Sequence, residues 1–507
     1  MISPRSEIRS ATLILIVSIW IVFARLLWAD FTSWDDYGTL ARNPHFNPPS
    51  INTAIHYLEH AHMNLYVPVT YAVWTGVAMI AYDTQTRSLD ASYFHGASLV
   101  LHTIASVIVF SLIRRVIGRV WPACFGALIF ALHPVQTESL GWTSGLKDVL
   151  AWTISLSATR LAISWLDHQN SGRNTWRVVV ASVLFALALL SKPSTVVTPL
   201  TFFAIAWVSR TDFNRADLKR AGMLALSWLA LSAACVLWSR ALQPKDTELI
   251  HPTLLQRPLI VLDTISFYIT KIFWPDPLTF DYGHRPEYVL HRAPPLLQVI
   301  VPITVIGLLI ALIVRRKIDW RIVAAGAAFA LLGVTPVLGL VSFDMQQYST
   351  VADHYLYGSM VGIGLIGAMI FARWKSALVI GAPVLGALAI VSFAQTNVWM
   401  NSESLFRHGL EVFPDSWPAN QSLAATLIEE VNASSNLSGE KKEKMRDEAE
   451  MLARHATEID PKFRLGWITL SNALLARGDL AGAITTVENG IKHRPDDPAL
   501  LTTLSGL

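Results

Sequence analysis

The sequence predicts an all-α fold: a polytopic membrane helix bundle of about 11 spans that continues into a C-terminal solenoid of helix pairs. The prediction rests on three features. Hydrophobic residues fill 52% of the 507 positions against 15% charged, and the apolar ones cluster in repeated runs near the length that crosses a hydrocarbon core. Basic residues between those runs fall on one face when the runs are counted as spans. Beyond about residue 396 the composition turns polar and helical, and the interval from Pro461 to Pro495 is 34 residues. A net charge of +3, dispersed along the chain, argues against nucleic-acid binding. The only cysteines, Cys124 and Cys235, lie inside predicted spans, which argues against a structural disulfide or a thiolate metal site.

The first run, Ala11 to Trp28, follows Arg5 and Arg9 and has no small-residue cleavage site after it, so it is expected to stay as an uncleaved first helix. Further spans are expected at roughly 91–113, 120–132, 148–166, 177–190, 194–209, 221–241, 296–314, 320–341, 355–372 and 377–395. Residues 67–82 are apolar but short and contain Pro68; they are expected as an interfacial helix within a large first loop, about 29–90. The connections holding Arg114, Arg115 and Arg119, then Arg173 and Arg177, then Arg210, Arg215, Lys219 and Arg220, then Arg315, Arg316, Lys317 and Arg321, then Arg373 and Lys375, share one face. By the positive-inside rule that face is cytoplasmic. Asp35, Asp36, the turns His133 to Lys147 and Ser191 to Ser194, the segment about 242–293 and the C-terminus then lie on the exoplasmic face. The expected setting is a bacterial inner membrane with these elements in the periplasm, although an endoplasmic reticulum membrane gives the same asymmetry.

The division falls at 1–395 for the membrane part and 396–507 for the polar helices. In the latter, Pro461, Trp467, Leu470, Leu474, Gly478, Ala483, Val487, Gly490 and Pro495 follow the spacing of a helix-turn-helix repeat, with small residues where paired helices pack closely. The pattern is similar to a tetratricopeptide repeat. One period upstream Ala449, Ala453, Ala456 and Pro461 match its second half, and Asn420, Leu423, Ala424 and Leu427 resemble its first, interrupted by a polar insertion at 431–443. Such repeats are expected to form a separate stack that holds extended peptides or partner helices on a concave face.

Chemistry is signalled by polar residues at the mouths of the spans. Trp34-Asp35-Asp36 follows the first span, where carboxylates are expensive to place. The third and fourth spans are joined by a turn holding His133, Glu138, Lys147 and Asp148; Lys192 sits between the fifth and sixth; Asp353, His354, Tyr355 and Tyr357 open the tenth. Singly, each reads as a solvated turn, a helix cap or a snorkelling lysine. Four clusters on one membrane face point to a common site. There a carboxylate can deprotonate a hydroxyl, and its neighbour can orient it, raise its pKa or hold a metal. Asp35 is favoured narrowly over Asp36 as the base. Metal requirement is open; Asp35, Asp36, His56 and His60 are the candidates, the two histidines having the i, i+4 spacing of zinc ligands. With Glu59 and His62 nearby but no third and fourth ligand standing out, His56 and His60 are expected to line an interface or acceptor groove. Arg25 is expected to snorkel outward from the first span.

The order of Trp34-Asp35-Asp36, Tyr66-Val67-Pro68-Val69-Thr70, Phe94-His95, His133-Pro134 with Glu138, Lys147-Asp148, Ser191-Lys192-Pro193 and Asp353-His354-Tyr355-Leu356-Tyr357, closed by the repeats, resembles the transmembrane-and-tetratricopeptide-repeat (TMTC-like) proteins. These are C-type, multi-span glycosyltransferases related to protein O-mannosyltransferases, and the resemblance covers nearly the whole chain. Two positions depart from it: relatives usually carry arginine where this chain has Leu146, and Asp-Arg-Tyr where it has Asp353-His354-Tyr355. The resemblance implies inverting transfer of mannose or a similar hexose from a polyprenyl-phosphate donor to an acceptor hydroxyl, on protein, at the exoplasmic surface. Asp35 and Asp36 would be the catalytic acids; Lys147, Lys192, His354 and His133 would meet the leaving lipid phosphate; Glu138, Asp148, Asp353 and Tyr355 would support them. The implied partners are the lipid-linked sugar and an acceptor protein or peptide held by the repeats. No cofactor is implied beyond that open metal. The competing reading is a non-catalytic membrane-anchored repeat scaffold; a transporter fits less well, because few ionisable residues fall at mid-span depth.

Overall fold

In the computed structural model the described residues are 3–167, 174–210, 212–242, 252–291, 296–315, 318–374 and 377–507. Arg173, Arg316, Lys317 and Lys375 of the basic connections, and residues 243–251 and 292–293 of the long segment, lie outside them. Helices dominate; the strands among the described residues are Tyr82–Asp83 and Ser88–Leu89, paired antiparallel. Among the described residues six helices are long and apolar enough to cross a bilayer: Pro4–Trp28, Ala91–Ile117, Thr143–Asp167, Arg215–Ser239, Trp320–Val337 and Val379–Thr396. Shorter apolar helices accompany them at Pro68–Ala81, Val120–Leu132, Thr175–Ser191, Pro193–Val208, Pro302–Val314 and Met360–Arg373. The protein is an all-α integral membrane protein.

Each run read from the sequence falls on one of these helices, but several boundaries move. The run 194–209 opens as a 3₁₀ turn, Pro193–Val197; the run 320–341 leaves the α-helix at Val334, where Thr335–Val337 tightens around Pro336; and the run 355–372 becomes α-helical only at Met360. Proline lacks the N–H an α-helix needs and disfavours helical geometry in the residue before it, so it moves ends that hydropathy alone cannot place. The helix Met360–Arg373 is central. A Cβ on Gly126 would lie 2.3 Å from the Gly364 carbonyl oxygen, and one on Gly362 would lie 2.1 Å from that of Gly326. Glycine at those positions lets Val120–Leu132 and Trp320–Val334 approach it at backbone distance.

The basic connections gather at one end of the bundle. Arg115 pairs with Asp167 at 2.6 Å, Arg119 donates to the Ala372 carbonyl at 2.6 Å, and Arg321 donates to that of Trp207 at 2.9 Å. The helix Leu146–Asp167, 22 residues long, separates this end from Lys147 and Asp148 by about 30 Å.

Beyond Thr396 the helices Ser402–Val412, Trp417–Ala433, Gly439–Ile459, Arg464–Ala476, Leu480–His493 and Pro498–Gly506 pack each on the next, and Trp417–Ala433 also on Arg464–Ala476. The polar insertion is mostly helical: it lengthens two helices and leaves only residues 434–438 between them. These helices are joined to the membrane part by an extensive interface. Arg42 forms a bidentate pair with Glu429 (2.9 and 2.7 Å), Arg285 pairs with Asp460 at 2.8 Å, the Ser416 hydroxyl donates to Asp281 at 2.6 Å, and the Asp30 N–H donates to the Met400 carbonyl at 2.9 Å. The C-terminal helices thus rest against the membrane part, and residues 281 and 285, in a segment with no strong hydropathy signal, are among those that join the two.

Candidate active site

Asp36 fixes the geometry. Its side chain is fully buried; Oδ2 accepts from the Thr32 N–H at 3.1 Å and the Thr32 hydroxyl at 3.0 Å, and Oδ1 accepts from the Ser144 N–H at 2.9 Å. The loop after the first span is thereby tied to the turn Thr143–Gly145, which opens the helix carrying Lys147 and Asp148. A bond between the hydroxyls of Thr39 and Ser144, at 3.0 Å, is a second tie. Burial, with Asp35 beside it, pushes the Asp36 carboxyl up to about 6.

Asp35 is arranged differently. Its side chain is 20% exposed, Oδ2 stands 3.6 Å from Lys147 Nζ, and Oδ1 has no hydrogen-bond partner. Lys147 lies 5.2 Å from the Trp142 ring and 5.9 Å from that of Trp74. Oδ1 is buried, so what Asp35 can offer an incoming hydroxyl is Oδ2, which faces Lys147 and makes no hydrogen bond of its own, whereas Asp36 is committed to the fold.

The remaining sequence-predicted groups surround this pair. Lys192 Nζ donates to both Asp148 oxygens, at 2.7 and 2.6 Å, and sits 5.5 Å from the Tyr355 ring; burial lowers its pKa. The His354 ring lies 5.3 Å from Trp142 and 4.2 Å from Tyr355. Glu138 accepts from the His354 N–H at 2.9 Å, and its other oxygen is 2.9 Å from His354 Nδ1. Burial pushes Glu138 up to about 8 and His354 down to about 3, so at neutral pH the shared proton sits on Glu138, which donates to Nδ1 of a neutral imidazole. His354 therefore brings an N–H at Nε2 and no charge. Asp353 accepts from the Tyr282 hydroxyl at 2.9 Å and is held well above the carboxylate range by burial.

One expectation needs correction, and the histidine pair and Arg25 can be placed. His133 Nε2–H donates to the Ile272 carbonyl at 3.0 Å, and burial lowers its pKa to about 4, so its one N–H is spent and it carries no charge for a phosphate. His56 and His60 stack face to face, 4.5 Å between centroids, with His45 on the other side of His56 at 3.8 Å. Parallel rings present faces rather than nitrogen lone pairs to a common point. Among the described residues no three His, Cys, Asp or Glu side chains assemble to hold an ion, and Asp36 has its acceptors occupied, so these residues do not fit a metal centre. Arg25 lies 6.0 Å from the Phe393 ring.

Sequence reasoning missed Lys271 and Tyr282. Both come from the long segment after residue 242: Lys271 near the end of Arg257–Phe273 donates to the Pro277 carbonyl and lies 5.0 Å from the Tyr282 ring, and its charge opposes the rise in the Asp353 pKa. The available signal was the dense polar-aromatic run Thr279 to Arg285. The rim is aromatic: Trp34 meets Phe280 at 4.8 Å and Tyr348 at 5.2 Å, and Tyr348 meets Trp417 of the C-terminal helices at 5.3 Å.

No family model matches the chain. A protein of Caenorhabditis elegans named protein O-mannosyl-transferase F38B6.6 is 22% identical over 462 residues, 84% of this chain and 61% of that protein. Protein O-mannosyl-transferase Tmtc2 of Drosophila melanogaster is 25% identical over 204 residues, 38% of this chain and 21% of that protein. The chain resembles the TMTC-like family. It spans less than two thirds of the length of either relative. Both relatives are animal proteins and lend no support to a bacterial membrane.

Proposed function

We propose that the protein is a C-type, inverting glycosyltransferase that moves mannose or a similar hexose from a polyprenyl-phosphate donor to a hydroxyl of a protein acceptor at the exoplasmic face. The observation that carries this reading is the Asp35–Lys147 pair, a partly exposed carboxylate whose Oδ2 stands 3.6 Å from a cation. Asp35 takes the acceptor's proton as its oxygen attacks the anomeric carbon; the bond from that carbon to the phosphate oxygen breaks, and its electrons leave on the phosphate. Lys147 stabilises the developing charge, with the neutral His354 as an N–H donor and Lys192 behind Asp148. No step runs through a metal. Asp36, Glu138, Asp148 and Asp353 hold these groups in place. The reading takes the bundle as 11 spans, the C-terminal helices as tetratricopeptide repeats, and the basic end as cytoplasmic; the exoplasmic assignment is the same in a bacterial or an endoplasmic reticulum membrane. A scaffold would have no use for a partly exposed carboxylate held beside a lysine that lies against two indole rings. The test is transfer from labelled polyprenyl-phosphate mannose to protein or peptide acceptors by the purified chain. Activity lost in Asp35→Asn, with expression and thermal stability unchanged, supports the proposal; wild-type activity in that variant overturns the role of Asp35, and no transfer by any preparation favours the scaffold.

A further inference from the structure

At the basic end, away from the site above, a cleft of about 430 Å³ opens where Pro193–Val208 turns into Arg215–Leu242, lined by Phe203, Trp207, Phe213, Asn214, Arg215 and Leu218. We propose that this cleft binds an anionic phospholipid of the surrounding leaflet, its acyl chain on the aromatic floor and its phosphodiester against Arg215 and Lys219. Arg215, Leu218 and Lys219 stand at i, i+3 and i+4 on one helix and so share a face; Leu218 is 50% exposed. Among the described residues neither cation, nor the neighbouring Arg220, makes an ion pair. The acids of this end are engaged elsewhere or stand apart: Asp217 is buried against Arg210, Asp319 accepts from the Arg321 N–H at 2.9 Å, and Asp212 lies exposed on the connecting turn. The floor is rigid. Trp207 meets Trp320 edge-on at 5.7 Å, and Arg321 lies 5.1 Å from the Trp207 ring while donating to its carbonyl. Indole rings beside uncompensated cations at the end of apolar helices provide what a phospholipid presents at that depth: an anionic headgroup above a chain.

The experiment is native mass spectrometry of the full chain in detergent, with phosphatidylglycerol or phosphatidylcholine of equal chain length, and inorganic phosphate as a third arm. Phosphatidylglycerol should be retained in preference to phosphatidylcholine, and inorganic phosphate should not displace it. Arg215→Gln with Lys219→Gln should weaken retention roughly thirtyfold, and Lys219→Gln alone about fivefold, at about one surface charge contribution each. Lys219→Arg, which keeps the charge, should retain the lipid and shows whether any loss comes from folding. Equal retention of phosphatidylcholine, unchanged retention in the glutamine variants, or displacement by inorganic phosphate overturns the proposal.

Discussion

At the scale of single residues, adjacent carboxylates with the same chemistry have different tasks because their acceptors are differently occupied. Asp36 to Asn places an amide N–H against one of three donors, so it should lower stability by about 1–3 kcal/mol, read as a fall in melting temperature. Asp35 to Asn should leave the melting temperature unchanged and abolish the proposed transfer. Glu138 gives a pH signature. Its folded pKa of about 8 lies above the ordinary 4.5, so its own contribution falls as pH rises across that interval; the lowered His354 and His133 act in the opposite sense below about 6.5, so the net fall is expected from about 6.5 to 8. Asp36, raised to about 6, contributes in the same sense as Glu138 only at more acid pH, where the two histidines oppose it. Glu138→Gln keeps a donor toward His354 Nδ1 and an acceptor for its N–H, so it should flatten the slope; Glu138→Ala should remove both bonds and destabilise. Melting curves from pH 5 to 8 check all three. The polar residues themselves were legible in the sequence. Their division of labour was not, because it depends on hydrogen bonds from Thr32 and Ser144, residues whose types carry no chemical signal.

Among elements, the helix that starts at Leu146 explains the most visible departure from the family pattern. Neighbouring residues on a helix point about 100° apart. Lys147 faces Asp35, while Leu146 is fully buried in a cluster with Phe31, Leu40, Phe46 and Trp74. Restoring an arginine there, Leu146→Arg, would bury a charge without a partner in that cluster, so the variant should fail to accumulate, whereas Leu146→Met should be tolerated. Helix contacts follow the same logic of space. Gly126→Ala gains about 1 kcal/mol of helix propensity. It also drives a methyl to 2.3 Å from a backbone oxygen, and overpacking of about 1–3 kcal/mol wins, so the melting temperature should drop. Element existence was readable from hydropathy, as at Ala91–Ile117, but helix ends at Pro193 and Pro336 and the glycine crossings were not, since both are set by backbone sterics rather than by apolar content.

For the whole molecule, the interface between membrane part and C-terminal helices changes what truncation should do. Removing residues 416–507 takes Trp417 from Tyr348, Ser416 from Asp281 and Asp460 from Arg285, so it should lower the melting temperature and impair the proposed transfer rather than leave the site intact. Arg42→Ala should do neither: Arg42 and Glu429 are each at least half exposed, and such pairs contribute about 0–1 kcal/mol. The long segment after residue 242 gave no warning of this, because its contacts are made by single polar residues far apart in sequence, such as Asp281 with Ser416. One further consequence follows from the helix Leu146–Asp167. It is clamped at one end by the Asp36–Ser144 bond near its start and at the other by Arg115–Asp167, with about 33 Å between, close to the hydrocarbon thickness of a common bilayer. A strut held at both ends cannot lean to suit a thinner membrane, so the lipid must adapt, and the height of Asp35 above the leaflet is a property of the protein alone. Turnover in vesicles of stepped acyl-chain length should therefore peak at one thickness and fall on either side, as a lipid-borne sugar is carried below or above the carboxylate that awaits it.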